Sequence, residues 1–298
     1  MTLPQFTNND PGASFHQLLR TQGLFAPVPT LTADGAEHVG PLTHATTIVA
    51  LRYADGVIMA GDRRATAGNV IAHRGMEKVF PADRYSGVSI SGVAGVAAEM
   101  VKLFQLELEH YEKVEGVQLS LEGKATRLAN LIRNNLPMAM QAGMVVIPIF
   151  AGYDLRRQVG RIFNYDITGG RYEEMEFHAT GSGGTYARML IKQQWRPDIS
   201  LNDAVELSLA ALFEAADEDS ATGGPDAIRG IYPTVASITN DGYTDIDEAD
   251  ISARFASLIA QRTATRNGGG SGGGTSGAQA GAGAPAARSA RGTRGGAK

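Results

Sequence analysis

Between about residues 46 and 265 the apolar positions alternate between strand-like and helix-like spacing. Thr46–Tyr53 is a β-rich run, and Asp55-Gly56 after it is a hairpin turn signal. Val57–Asp62 reads as a second buried strand, and Gly87–Gly92 as a third. Residues 94–113 switch to a helical period, with Val96, Met100, Leu103, Phe104 and Leu108 on one side and Glu107 and Lys113 on the other. Lys124–Gln141 repeats that period through Leu128, Leu131, Ile132 and Leu136, and Pro137 is expected to kink it or end its core-facing run. Met144–Tyr153 is a near-continuous apolar run of strand length. Arg161–Ile167 and Glu174–His178 follow as strands, with Gly169-Gly170 between them. Thr185–Gln194 and Leu201–Glu218 read as helices. Thr234–Thr239 and Tyr243–Ile246 form a hairpin through Asp241-Gly242, and a helix closes the region from Glu248 to Arg262. Strands that come as hairpins give mainly antiparallel sheets, and paired helices cover outer faces. The order predicts an α+β fold, a four-layer αββα sandwich with two sheets inside.

The flanks break the pattern. Residues 1–45 are rich in Pro, Thr, Gly, Asn and Asp and read as a leader. From about residue 266 to 298 the chain is Gly/Ala/Ser-rich, with Arg288, Arg291, Arg294 and Lys298 and no acid, a flexible basic tail. The catalytic or binding domain is therefore placed at 46–265. The formal charge of −4 gives no support to a nucleic-acid surface. The absence of cysteine excludes disulfides, Cys-based zinc sites and a Cys nucleophile. No apolar run is long enough to span a bilayer, and the first residues lack the basic and apolar regions of a signal peptide. The expectation is a soluble cytoplasmic protein.

Several catalytic signatures are missing. There is no Gly-x-Ser-x-Gly elbow, and the six histidines are scattered without a metal-binding spacing, so neither metal nor cofactor is expected. Gly-Ser-Gly-Gly at 181–184 resembles a phosphate-cradling loop only weakly, since no Lys-Ser/Thr ends it. The informative point is Thr43-His44-Ala45-Thr46-Thr47, where a polar leader meets a buried strand. A cut before Thr46 would leave a free α-amine beside that residue's own hydroxyl. Such an amine, with an ordinary pKa of about 7.7–8.0, can act as the base for a Thr nucleophile.

Thr46–Leu51, then Gly61-Asp62-Arg63-Arg64-Ala65-Thr66, then Glu77-Lys78-Val79 resemble the 20S proteasome β-subunits, of the bacterial, actinobacterial-type branch. Glu107–Lys113, Asp217–Asp226 and Arg229–Thr234 extend the resemblance, which covers about residues 44–263. It implies the sandwich of N-terminal-nucleophile hydrolases and a threonine endopeptidase exposed by self-cleavage between Ala45 and Thr46. It implies that Thr46 is the nucleophile, that Lys78 keeps the field at its hydroxyl positive, and that Asp62 pairs with Lys78. Asp219 and Thr222 would lie near the α-amine, Ser182 would bond the amine or a water, and the Gly92 N–H would form the oxyanion hole. By position, Ala65, Met76, Phe80, Ile90, Ala94 and Ala98 would line an apolar pocket for the residue before the cut, and Thr66 would pair with substrate backbone.

The family's usual Gly before the nucleophile is here Ala45, which disfavours a strained turn and bears on the rate of maturation. The implied partners are α-subunits, further β-subunits in heptameric rings (fourteen copies in the core), an ATPase ring, and unfolded or tagged protein substrates, pupylated ones among them. Two alternatives stand beside this reading. One is a ring subunit that keeps its leader and serves as structure. The other is the subunit of a simpler two-component ATP-dependent threonine peptidase.

Overall fold

The computed structural model describes residues 46–268, with side chains to 265. The leader and nearly all of the Gly-rich tail lie outside those residues, as do His44 and Ala45.

The first sheet holds β1 (Thr47–Tyr53), β2 (Gly56–Gly61), β10 (Phe177–Gly181), β11 (Thr234–Thr239) and β12 (Gly242–Asp245), in the order β10-β1-β2-β11-β12. The second holds β5 (Val79–Asp83), β6 (Ser86–Gly92), β7 (Val146–Asp154), β8 (Val159–Tyr165) and β9 (Arg171–Glu174), in chain order. A small ribbon, β3 (Ala65–Ala67) with β4 (Val70–His73), stands apart. Every pairing is antiparallel.

The sequence dictates which faces meet. β1 and β2 are buried along almost their whole length, as strands covered on both faces must be. Ile48, Ala50, Val57 and Met59 of the first sheet pack against Val79, Ile149, Ala151 and Ile162 of the second, forming the core between the sheets. A second core lies outside the second sheet, under α1 (Ala94–Glu115) and α2 (Leu121–Ala142). There Phe104 meets Phe150 edge-on at 5.8 Å, and Phe150 stacks on Phe163 at 6.0 Å. The first sheet is covered on its outer face by α3 (Gly184–Gln194) and α4 (Leu201–Glu218). The layers are thus helix, sheet, sheet, helix, as expected.

Helix boundaries follow from local chemistry. Ser120 and Ser200 cap α2 and α4, accepting the N–H of Gly123 (3.1 Å) and Asp203 (3.2 Å). Gly116 and Gly143 end α1 and α2 in the left-handed region. α2 runs through Pro137, but its buried positions stop at Ile132, so the core-facing run ends before the proline. The chain divides at Ser252 into two compact units. The helix α5 (Glu248–Gly268) begins in the first and makes up the described part of the second.

One expectation needs correction, and three strands were not foreseen. The stretch read as one strand over Glu174–His178 is the end of β9 and the start of β10, in different sheets, with a bend at Met175-Glu176 carrying the chain across. The ribbon β3–β4 and strand β5 were not anticipated from the pattern. Val70–His73 is largely exposed and short, so it carries no alternation to read.

Candidate active site

The residues named from sequence gather at strand ends. Thr46 stands immediately before β1, and Asp62 immediately after β2, which pairs with it. Lys78 stands immediately before β5. The Ile90 N–H donates to the Lys78 carbonyl at 2.9 Å, so β6 runs on beyond Lys78 to end at Gly92. Ser182 follows β10, and Asp219 and Thr222 follow α4.

Asp62 is the hub. Its Oδ1 accepts the Thr47 N–H at 2.8 Å and the Lys78 ammonium at 2.6 Å. Its Oδ2 accepts the N–H groups of Arg64 (2.9 Å) and Gly223 (2.8 Å). Four donors converge on this fully buried carboxylate. Lys78 is equally buried and donates a second bond to the Arg64 carbonyl at 2.6 Å. An ammonium has three N–H donors, so one remains beyond these two. Burial pushes the Lys78 pKa below its ordinary value, and the pull of Asp62 only partly restores it. The pairing of Asp62 with Lys78 expected from the resemblance is present at 2.6 Å.

A second cluster adjoins the first through Thr47. Its hydroxyl lies 2.6 Å from that of Thr222 and accepts the Gly183 N–H at 3.0 Å. Asp219 Oδ2 accepts both the Thr222 and the Ser182 hydroxyls at 2.5 Å. The Thr46 carbonyl in turn accepts the Ser182 N–H at 2.9 Å. Thr47 thus joins the Asp62–Lys78 pair to the Ser182–Asp219–Thr222 cluster, and the Ser182 N–H holds the carbonyl of Thr46 beside it.

Three contributors escaped the sequence reading. Thr47 was seen only as a strand residue, yet it joins both clusters. Arg64 holds Asp62 through its N–H and Lys78 through its carbonyl, and its guanidinium reaches the Ser220 carbonyl. The Gly-Ser-Gly-Gly run is a strand-to-helix turn. Gly181 has φ +99°, and a Cβ there would lie 1.7 Å from the Thr46 carbonyl oxygen. A Cβ on Gly183 would lie 2.6 Å from the Thr47 and Thr222 hydroxyls. The run of glycines was the available signal; close backbone approach, not phosphate, is what they serve. Gly92 is likewise demanded by the backbone. Its φ is +115°, and a Cβ would lie 2.0 Å from the Val145 oxygen.

The expected substrate pocket is mixed in character. Ala65 and Thr66 on β3 are buried, and Met76, Phe80, Ala94 and Ala98 are half-buried. Ile90 belongs to the helix-side core, against which Phe80 packs. Among the described residues no cluster of His, Asp and Glu is arranged to hold a metal, and no helix is long and apolar enough to cross a membrane.

Residues 42–229 match the family model described as proteasome subunit. The chain is 54% identical over 268 residues to a proteasome subunit beta of Acidimicrobium ferrooxidans, covering 89% of this chain and 97% of the relative. It is 57% identical over 219 residues to a proteasome subunit beta of Streptomyces griseus subsp. griseus, covering 74% and 78%. With helix-covered antiparallel sheets, glycine-lined strand ends and this extent of identity, the chain belongs to the proteasome subunit family, on its actinobacterial β-subunit branch.

Proposed function

We propose that this β-subunit is a catalytic one, a threonine endopeptidase whose nucleophile is the Thr46 hydroxyl. The observation that carries the reading is the shared Asp62 oxygen. By accepting both the Thr47 N–H and the Lys78 ammonium, it sets a buried cation one residue from Thr46.

The chemistry begins with maturation. Thr46 Oγ attacks the Ala45 carbonyl, the amide becomes an ester, and water hydrolyses it, releasing the leader and freeing the Thr46 α-amine. In each later turnover that amine takes the Oγ proton, directly or through a water held by Ser182. Oγ attacks the substrate carbonyl, and the N–H of Gly92 receives the oxyanion, a contact typically worth about 3–4 kcal/mol in the transition state. The leaving amine takes the proton, and water hydrolyses the acyl ester. Lys78 favours the neutral α-amine by its charge. Met76, Phe80, Ala94 and Ala98 receive an apolar side chain before the cut, and Thr66 pairs with the substrate backbone. The subunit works in the cytoplasm within rings of β-subunits stacked against α-subunits. An ATPase ring feeds it unfolded, tagged chains, pupylated ones included.

A peptide boronate or β-lactone, added to the chain assembled with its α-subunit, tests the assignment. The expected adduct is one per β-chain, on Thr46, by peptide mass mapping, and absent from Thr46→Ala. An adduct on Thr47 or Ser182, or equal labelling of Thr46→Ala, would overturn it.

A further inference from the structure

Beside the Asp62–Lys78 pair lies a cleft whose charge the mechanism leaves unused. Its walls include Arg63, Arg64 and Arg74, with Gly224, Asp226 and Tyr232 from the loop after α4. The cleft is small, with a cavity volume of about 30 Å³. Among the described residues, none of the three arginines is in an ion pair. The cleft's one carboxylate, Asp226, is engaged elsewhere. It accepts from the Arg229 guanidinium at 2.6 Å and from the Arg229 N–H at 3.1 Å.

The arginines are also unevenly satisfied. Arg64 Nη1 donates to the Ser220 carbonyl at 2.9 Å. Arg63 Nη2 makes only a long bond of 3.3 Å to the Gly75 carbonyl. Arg63 Nε is buried with no hydrogen-bond partner. A buried guanidinium N–H without an acceptor is uncommon in a native fold. Guanidinium groups match oxyanions in both charge and fork geometry.

We propose that this cleft is a binding site for a small oxyanion, whose oxygens accept from the guanidinium groups of Arg63, Arg64 and Arg74. Its place gives it a consequence. The Arg64 N–H holds Asp62 and the Arg64 carbonyl holds Lys78, so a ligand gripping the Arg64 side chain steadies the segment that carries both bonds. The oxyanion is either inorganic phosphate or a carboxylate supplied by a neighbouring subunit, and the two share one recognition chemistry.

Inorganic phosphate is the probe, titrated at constant ionic strength against chloride and followed by phosphorus NMR line width and by thermal unfolding. Wild type, Arg74→Gln and Arg63→Gln are compared, as the particle assembled with the α-subunit and as the full chain expressed without it. Arg74 is exposed and lies outside the catalytic contacts, so its variant reports on the cleft without disturbing the fold. Saturable phosphate binding by wild type, about tenfold weaker in Arg74→Gln for the loss of one charge-assisted contact, is expected. Binding in both forms identifies a free anion as the ligand. Binding by the unassembled chain that disappears on assembly identifies a neighbour's carboxylate. Absence of saturable binding in both forms, or equal binding by both variants and wild type, would overturn the proposal. Neither readout uses peptide cleavage, so the result stands apart from the role of Thr46.

Discussion

Lys78 and Arg161 are both cations sealed within this chain, and their surroundings push them in opposite directions. Lys78 has one carboxylate partner, and burial drives its pKa down. Arg161, on β8, has three carboxylates. Glu173 grips it with two bonds of 2.7 and 2.6 Å, Glu122 accepts at 2.7 Å, and Asp154 at 3.1 Å. Its guanidinium also lies 4.8 Å from the Phe163 ring centre. These bonds, led by those to Glu173, push its pKa further up. The two side chains differ in kind as well. A guanidinium does not give up its proton in a protein, whereas a buried lysine does so readily. Arg161 is a clasp that ties the start of α2 to the second sheet. Lys78 is held by a single carboxylate in a site whose burial works against its charge.

Breaking each pair in turn sharpens the contrast. The largest effect is expected from Asp62→Ala. It leaves Lys78 buried without its partner and should cost about 3–5 kcal/mol in denaturant unfolding of the assembled particle. Peptide cleavage should fall by about 100-fold or more, because the cation beside Thr46 is then easily neutralised. A variant with near-normal cleavage would show that the pair is structural only.

Arg161→Met should be milder, costing about 1–3 kcal/mol at pH 7, and should leave cleavage per assembled particle unchanged. Its cost should also depend on pH. Arg161 holds Glu122 and Glu173 below their ordinary values, and Asp154 is lowered by its hydrogen bonds against the cost of burial. Groups depressed in the fold stabilise it above their unfolded values, and that contribution is lost as pH falls through the folded ones. The gap between wild type and Arg161→Met should therefore narrow below about pH 4. A gap independent of pH would mean that packing on Phe163, not charge, is what Arg161 supplies.

The smallest effect belongs to an exposed anion. Asp166, in the turn between β8 and β9, accepts from the Thr168 hydroxyl and from the Thr168 and Gly170 N–H groups through Oδ1, and from the Tyr172 hydroxyl through Oδ2. These bonds, that of the Thr168 hydroxyl first, hold its carboxyl down at about 2. Its contribution is complete above the ordinary carboxylate range and fades as pH falls toward 2. Asp166→Asn should cost less than about 1 kcal/mol at pH 7, since water screens an exposed site. The difference should vanish in acid unfolding near that pH.

Much of this was legible in the sequence because local signals agreed with the fold. Asp55-Gly56 and Asp241-Gly242 placed two hairpins of the first sheet, and the helical spacing of Met100, Phe104 and Leu108 placed α1 on its core. What stayed hidden depends on distant partners. Thr47 meets Thr222 across 175 positions of sequence, and nothing local marks either as a partner of the other. Glu174–His178 read as one strand because the bend at Met175-Glu176 has no Gly or Pro. The direction of the Lys78 shift required knowing that the side chain is wholly buried, which a charged residue in a polar stretch does not announce.

The central claim is that Thr46 becomes the chain's N-terminus and does the chemistry. Its most direct test is the intact and N-terminal mass of the full chain co-expressed with its α-subunit. The account predicts an assembled particle whose β-chains begin at Thr46, with residues 1–45 removed and Ala45 tolerated at the cut. An assembled particle whose β-chains retain residues 1–45 would contradict it.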